Sequence, residues 1–135
     1  TLYSVDKWSS KRKWWDDVHR RTAGYVLSEF GSRSQIIQGD SCEVAAQFAD
    51  QSLDFVYIDG NHRYKGIKRD FRCWYPKVKV GGIVAGHDWV REEDEPAPWS
   101  KVRLLVSNDM RDQDVEINIT QEPLASFWFI KLGDS

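Results

Sequence analysis

Four times in this chain a short apolar run stops at an acid. The runs are Leu2-Tyr3-Ser4-Val5 before Asp6, and Ser34 to Gln38 before Gly39-Asp40-Ser41. The third is Leu53 to Ile58 before Asp59-Gly60-Asn61-His62, and the fourth is Ile83-Val84-Ala85 before Gly86-His87-Asp88. Segments with apolar residues at helical spacing separate them. A parallel pair of strands needs a long crossover, usually a helix, to return to the same end of the sheet. The alternation therefore predicts an α/β chain with a mostly parallel sheet and flanking helices. Ligands of such sheets bind beyond the carboxyl ends of the strands, so the four exits are where the chemistry is sought.

The element order follows from the same patterning. A helix is expected from a cap at Ser9 or Ser10 to about Phe30, with Trp14, Trp15, Val18, Tyr25, Val26 and Phe30 on its apolar side and Gly31 as its stop. Ser41 is expected to cap a short helix over Val44 to Phe48. The Phe55-Val56-Tyr57-Ile58 run is nearly continuous, as in a strand covered on both faces. A helix is expected from Tyr64 to Tyr75 with Ile67, Phe71 and Trp74 on one stripe, closed by Pro76. Arg91 to Pro98 reads as an acidic loop and Trp99 to Met110 as a helix. Val115 to Thr120 and Ser126 to Leu132 read as a final, antiparallel pair of strands.

Composition narrows the class. The chain has 135 residues, enough for one domain over 1–135. With 41% hydrophobic and 30% charged residues it has the makings of a core and not of a disordered tail. Lys plus Arg is 19 against 21 for Asp plus Glu, a net charge of −2, so nothing pulls the chain globally toward nucleic acid or an anionic membrane. Its apolar runs reach about 5 residues, against the roughly 20 that cross a bilayer, and no leader pattern is visible. Cys42 and Cys73 are too few for a disulfide framework and have no CxxC spacing. Unbonded cysteines and a cytoplasmic location are expected.

Each exit has more than one reading. Asp6 suits a ribose, whose two hydroxyls can donate to a carboxylate after a strand, and alone more readily suits a turn or cap. Asp40 suits an adenine amino group or simply the turn at Gly39. Asp59-x-x-His62 is more informative: a carboxylate that can hold a hard cation, a glycine for the sharp turn, and an imidazole able to act as a base near neutral pH. Spacing alone leaves open the reading in which Asp59 caps the next helix. His87-Asp88 adds a second carboxylate and an imidazole. Neighbours in a strand point to opposite faces, but at an irregular exit both can converge. Such a set admits Mg²⁺, Mn²⁺, Fe²⁺ or Zn²⁺.

Taken together, Leu53-Asp54-Phe55-Val56-Tyr57-Ile58-Asp59-Gly60-Asn61-His62-Arg63-Tyr64, a helix with Asp70 and Trp74, Pro76, Lys79-Val80-Gly81-Gly82 and Gly86-His87-Asp88-Trp89 resemble the class I S-adenosylmethionine-dependent methyltransferases. The resemblance is to the branch of macrocin-type and related sugar O-methyltransferases, with its IDGxHxY, KxGG and GHD segments. Val5-Asp6-Lys7-Trp8 looks like the VDxW segment of that branch. The likeness covers roughly residues 2–90. It implies a Rossmann-like, mostly parallel sheet with an antiparallel C-terminal strand. It implies S-adenosylmethionine as cofactor, with Asp6 at its ribose, Asp40 and Ser41 by its adenine, and Asp59 also on the cofactor side. Asp59, His87 and Asp88 stand where metal-dependent members hold a divalent ion, usually Mg²⁺, although a Glu often occupies the place of His87. His62 would be the base that deprotonates an acceptor hydroxyl on a small molecule or sugar. No GxGxG occurs in the chain, and the resemblance places that loop and its strand ahead of Thr1, so the fold is expected to be N-terminally incomplete.

Two other readings are carried forward. One is an interaction module that keeps the fold without the cofactor. The other is a different divalent-metal enzyme using Asp59, His62, His87 and Asp88. Nucleic-acid and membrane partners are not expected. A homo-oligomer is expected from seven tryptophans and an incomplete sheet.

Overall fold

Two separate parallel strand pairs form the framework of the computed structural model, which describes residues 1–9, 11–61, 63–90, 101–110, 114–122 and 124–133. The chain divides into two compact units, residues 1–47 and 48–135. The predicted α/β order holds in both.

In the first unit β1 (Leu2–Asp6) pairs in parallel with β2 (Ser34–Gln38), with Asp6 opposite Gln38. The crossover between them is α1 (Lys13–Leu27), followed by a 3-10 segment, Ser28–Arg33. α1 is shorter than the sequence predicts. It starts after Arg12 with no side-chain cap, so the expected cap at Ser9 is not used, and Ser10 lies outside the described residues. At its other end Gly31, at φ 54, turns the backbone out of helical geometry. The apolar side of α1 is the second surprise, because no residue of this helix is buried. After β2, Asp40 rather than Ser41 caps α2 (Ser41–Ala45): its carboxylate accepts from the Cys42 and Glu43 amides at 3.1 and 3.4 Å. A carboxylate one residue earlier reaches these unpaired first-turn amides from an extended backbone, which a residue already inside the helix cannot do.

The second unit holds a four-stranded sheet of order β3-β4-β6-β5. β3 (Leu53–Ile58) pairs in parallel with β4 (Val78–Trp89), and β6 (Ala125–Ile130) runs antiparallel to both β4 and the two-residue β5 (Asn118–Ile119). The late antiparallel pairing is thus as expected, although β5 is only the end of the predicted strand. β4 is longer than the predicted Ile83–Ala85 because β3 pairs with it from Val78 and β6 supplies ladder partners as far as Trp89. α3 (Tyr64–Trp74) has its predicted bounds almost to the residue, and α4 (Val102–Asp109) falls inside its predicted segment. The loop expected over 91–98 and the start of that helix lie outside the described residues.

One face of this sheet is the core. Ile67 and Phe71 of α3 and Val102, Leu105 and Val106 of α4 pack with Val84, Trp89, Ala125, Phe127 and Phe129. Alternation then decides the other face. Val56 and Ile58 pack on the core while Phe55 and Tyr57 remain 45% and 44% exposed, as do Trp128 and Ile130 on β6 at 38% and 40%. The expectation that β3 is covered on both faces is therefore not met: the described helices of this unit cover one face only. Cys42 and Cys73 are also corrected, since both are disulfide-bonded and neither is a free thiol. No described helix is long and apolar enough to cross a membrane.

Candidate active site

Parallel pairing fixes where the third and fourth exits meet. Ile58 is opposite Gly86, so Asp59 leaves β3 beside His87 of β4. The two strands approach closely because Gly86 has no side chain: a Cβ there would lie 2.6 Å from the Ile58 carbonyl oxygen and 2.8 Å from the Phe127 ring. Next comes a bulge. Gly86 pairs with Phe127 but Trp89 pairs with Ala125, so β4 fits one residue more than β6 into this stretch. Asp88 takes up the difference with a left-handed backbone at φ 61. That conformation is uncommon for a residue with a side chain and costs of the order of 1 kcal/mol, a strain typical of functional sites.

The bulge brings neighbours together that a regular strand would separate. His87 Nδ1 lies 3.2 Å from Asp88 Oδ1 and 3.9 Å from Asp59 Oδ1. One ligand atom from each of the three residues lies within 4.8 Å of the other two. Their exposures are graded: Asp59 is open, His87 half-buried and Asp88 buried. They border a recess whose floor is apolar, with Ile58, Phe71, Val106 and Phe127 below them. Low-polarity walls strengthen charge interactions at such a mouth. Glu122 belongs to the electrostatics nearby. The Thr120 hydroxyl, 2.6 Å away, holds its carboxyl below the ordinary range, and His87 adds a small contribution.

Three residues that the sequence did not single out for the site hold the Asp59 exit in shape. Asn61 accepts the Arg63 amide at 3.0 Å, a local turn that leads into α3. It sits against Gly66, where a Cβ would come within 2.6 Å of it. Asp70 is buried on α3 and its Oδ2 would lie 2.9 Å from a Cβ at Gly60. The available signal was an acid at position 70, on the stripe of Ile67, Phe71 and Trp74. His62 lies outside the described residues.

The first two exits meet in the first unit. The Gly39 amide donates to the Asp6 carbonyl oxygen at 3.0 Å, so the exit of β1 adjoins Asp40 and Ser41. The Asp6 carboxylate accepts from the Trp8 amide at 2.7 Å, and the Asp40 carboxylate from α2. Both acids thus fill the local turn and cap positions, with Asp6 exposed at the strand end.

This arrangement of strand exits can be set against known proteins. A family model described as a methyltransferase domain matches residues 1–89. The chain belongs to that methyltransferase domain family. An uncharacterized protein of Sinorhizobium fredii is 25% identical to this methyltransferase domain over 89 residues, which are 64% of the chain and 10% of that protein. Among solved structures, a Corynebacterium glutamicum protein superposes with a TM-score of 0.71 at 16% identity, over 100% of the chain and 62% of its own length. A Streptococcus mutans protein solved in complex with SAH gives 0.63 at 12% identity, over 96% of the chain and 75% of its own length. The domain therefore has the Rossmann-like methyltransferase fold and spans 62% of the first of these structures.

Proposed function

We propose that this domain serves S-adenosylmethionine-dependent O-methyl transfer to a hydroxyl of a small molecule or sugar, assisted by a divalent cation. The observation that carries the reading is the convergence of Asp59, His87 and Asp88 at the carboxyl ends of β3 and β4. Two carboxylates and one imidazole suit Mg²⁺ or Mn²⁺, and the buried, strained Asp88 is a carboxylate placed there at a cost in backbone energy. The residues present fit such an ion. A cation held by Asp59, His87 and Asp88 would lower the pKa of an acceptor hydroxyl. S-adenosylmethionine, whose demethylated product SAH occupies the Streptococcus mutans neighbour, supplies an already activated methyl group.

The protein's own work is then positioning and proton removal. Asp59, at the mouth of the recess, meets the acceptor side. His62, three residues on, is assigned the proton from the hydroxyl. The apolar floor keeps water from the reacting oxygen. In the first unit, Asp6 is assigned to the ribose hydroxyls and the Asp40-Ser41 exit to the adenine edge.

The test is a methyl-transfer assay with labelled S-adenosylmethionine, Mg²⁺ or Mn²⁺ and a catechol or sugar acceptor, paired with calorimetric titration of SAH. Transfer that needs the metal and is lost in His62→Ala, with SAH affinity kept, is expected. SAH binding with transfer indifferent to chelator would sink the metal assignment, and hydrolysis without a methyl donor would sink the whole reading.

A further inference from the structure

α1 is amphipathic the wrong way round for a helix of a lone domain. Its half-buried side is made of Asp16, Asp17, Ala23, Gly24 and Leu27. Its exposed side carries Trp14, Trp15, Val18, Tyr25 and Val26, exposed by 64%, 47%, 52%, 83% and 53%. At 100° per residue these five fall within one 120° stripe. Soluble chains seldom leave such a patch in water unless something docks on it.

We propose that the occupant is a second copy of this chain, with the two α1 helices packed antiparallel about a two-fold axis near residue 20. Three observations select it. First, the stripe reads the same in both directions: a bulky pair at 14 and 15, small Val18 and Thr22 in the middle, and a bulky pair at 25 and 26. Antiparallel pairing sets Trp14 and Trp15 of one copy on Tyr25 and Val26 of the other, while the small middle lets the helices approach, which is the self-complementarity that a two-fold contact demands. Second, the two ends of α1 carry opposite charge. Lys11, Arg12 and Lys13 outnumber Asp16 of the first turn at its N-terminal end, the last turn has no basic residue, and Glu29 follows it. An antiparallel neighbour brings its carbonyl end and its Glu29 to those cations. Third, the area is of the right order. The five exposed side chains present at most roughly 600 Å² per copy, about 1,200 Å² for the pair when all of it is covered, and specific interfaces start near that size.

The proposal is independent of the methyl-transfer reading, and its test does not involve activity. Sedimentation equilibrium of the 135-residue chain over a wide concentration range is expected to show a reversible monomer–dimer equilibrium. Val18→Asp, which sets two carboxylates near the axis, is expected to weaken it at least about tenfold with an unchanged circular dichroism spectrum. Lys11→Glu, at the exposed residue that a two-fold near residue 20 sets opposite Glu29, is expected to weaken it too, and the double variant Lys11→Glu with Glu29→Lys to restore it. A monomer at every concentration overturns the proposal. So does a dimer that survives Val18→Asp and Lys11→Glu but is lost in Trp128→Ser, which would move the contact to the open sheet face. Binding of the monomer to phosphatidylserine vesicles in place of dimer formation also overturns it.

Discussion

Gly86→Ala is the sharpest probe of the site's framework. The added methyl meets the Ile58 carbonyl oxygen at 2.6 Å and the Phe127 ring at 2.8 Å. Ordinary contact begins near 3.4 Å, so β3 and β4 must part by several tenths of an ångström while a buried ring shifts. Neither neighbour is a flexible side-chain end. Overpacking of this kind costs about 1–3 kcal/mol, and the smaller conformational freedom of alanine in the unfolded chain returns about 0.4–1 kcal/mol. A net loss of about 1.3 kcal/mol is expected. For a chain of this size that is a fall in Tm of roughly 5 °C, read by thermal denaturation followed by tryptophan fluorescence. Because the same spacing sets Asp59 beside His87, the variant should also bind Mn²⁺ more weakly than the parent under conditions where both are folded. An unchanged or higher Tm would refute the close approach of the strands at this point, and with it the argument for why a glycine precedes His87.

Other outcomes follow from other positions. Asp88→Asn keeps the size of the side chain but removes the buried charge, and should weaken Mn²⁺ binding at least about tenfold by calorimetry if the three residues act as one ligand set. Gly24→Ala places a methyl in open space within α1 and should stabilise by about 0.5–1 kcal/mol in urea unfolding. Phe129→Ala empties a fully buried ring site and should cost about 3–5 kcal/mol in the same assay. The Asp54 carboxyl is held below its ordinary range by the hydrogen bond from Lys79 and then by its charge. Its small contribution to stability is thus present above the ordinary aspartate range and fades as pH falls through the lowered value. An NMR titration of Asp54 should move up to the ordinary range in Lys79→Met.

The strands were legible where local pattern and tertiary environment agree. β1, β2 and β3 fall at their predicted residues because each apolar run is bounded by an acid or a glycine that cannot continue it. The length of β4 was not, since its last residues, His87-Asp88-Trp89, carry no strand signal of their own and are held by β6, some 40 residues later in the chain. The meeting of Asp59 with His87 and Asp88 was anticipated from the exits of neighbouring parallel strands. The bulge that turns His87 and Asp88 together was not, because a register shift is a property of two strands and not of one. Burial was misread on α1 and on β3 for one reason. Apolar periodicity reports which residues share a face and says nothing of whether another element lies against it.

The bulge between Gly86 and Trp89 also changes what the chain tolerates in its length. With one extra residue in β4, Val84 and Trp89 reach the same core although they are an odd number of residues apart. Deleting either residue of 87–88 would restore a regular ladder with Trp89 still opposite Ala125 and on the face of Val84, while removing a carboxylate or an imidazole from the recess. The extra residue therefore serves the site and not the core. A one-residue deletion here forfeits the ligand set and leaves the packing of Trp89 on Phe127 in place, whereas a one-residue deletion just before Gly86 would set the side chains on either side of it out of step.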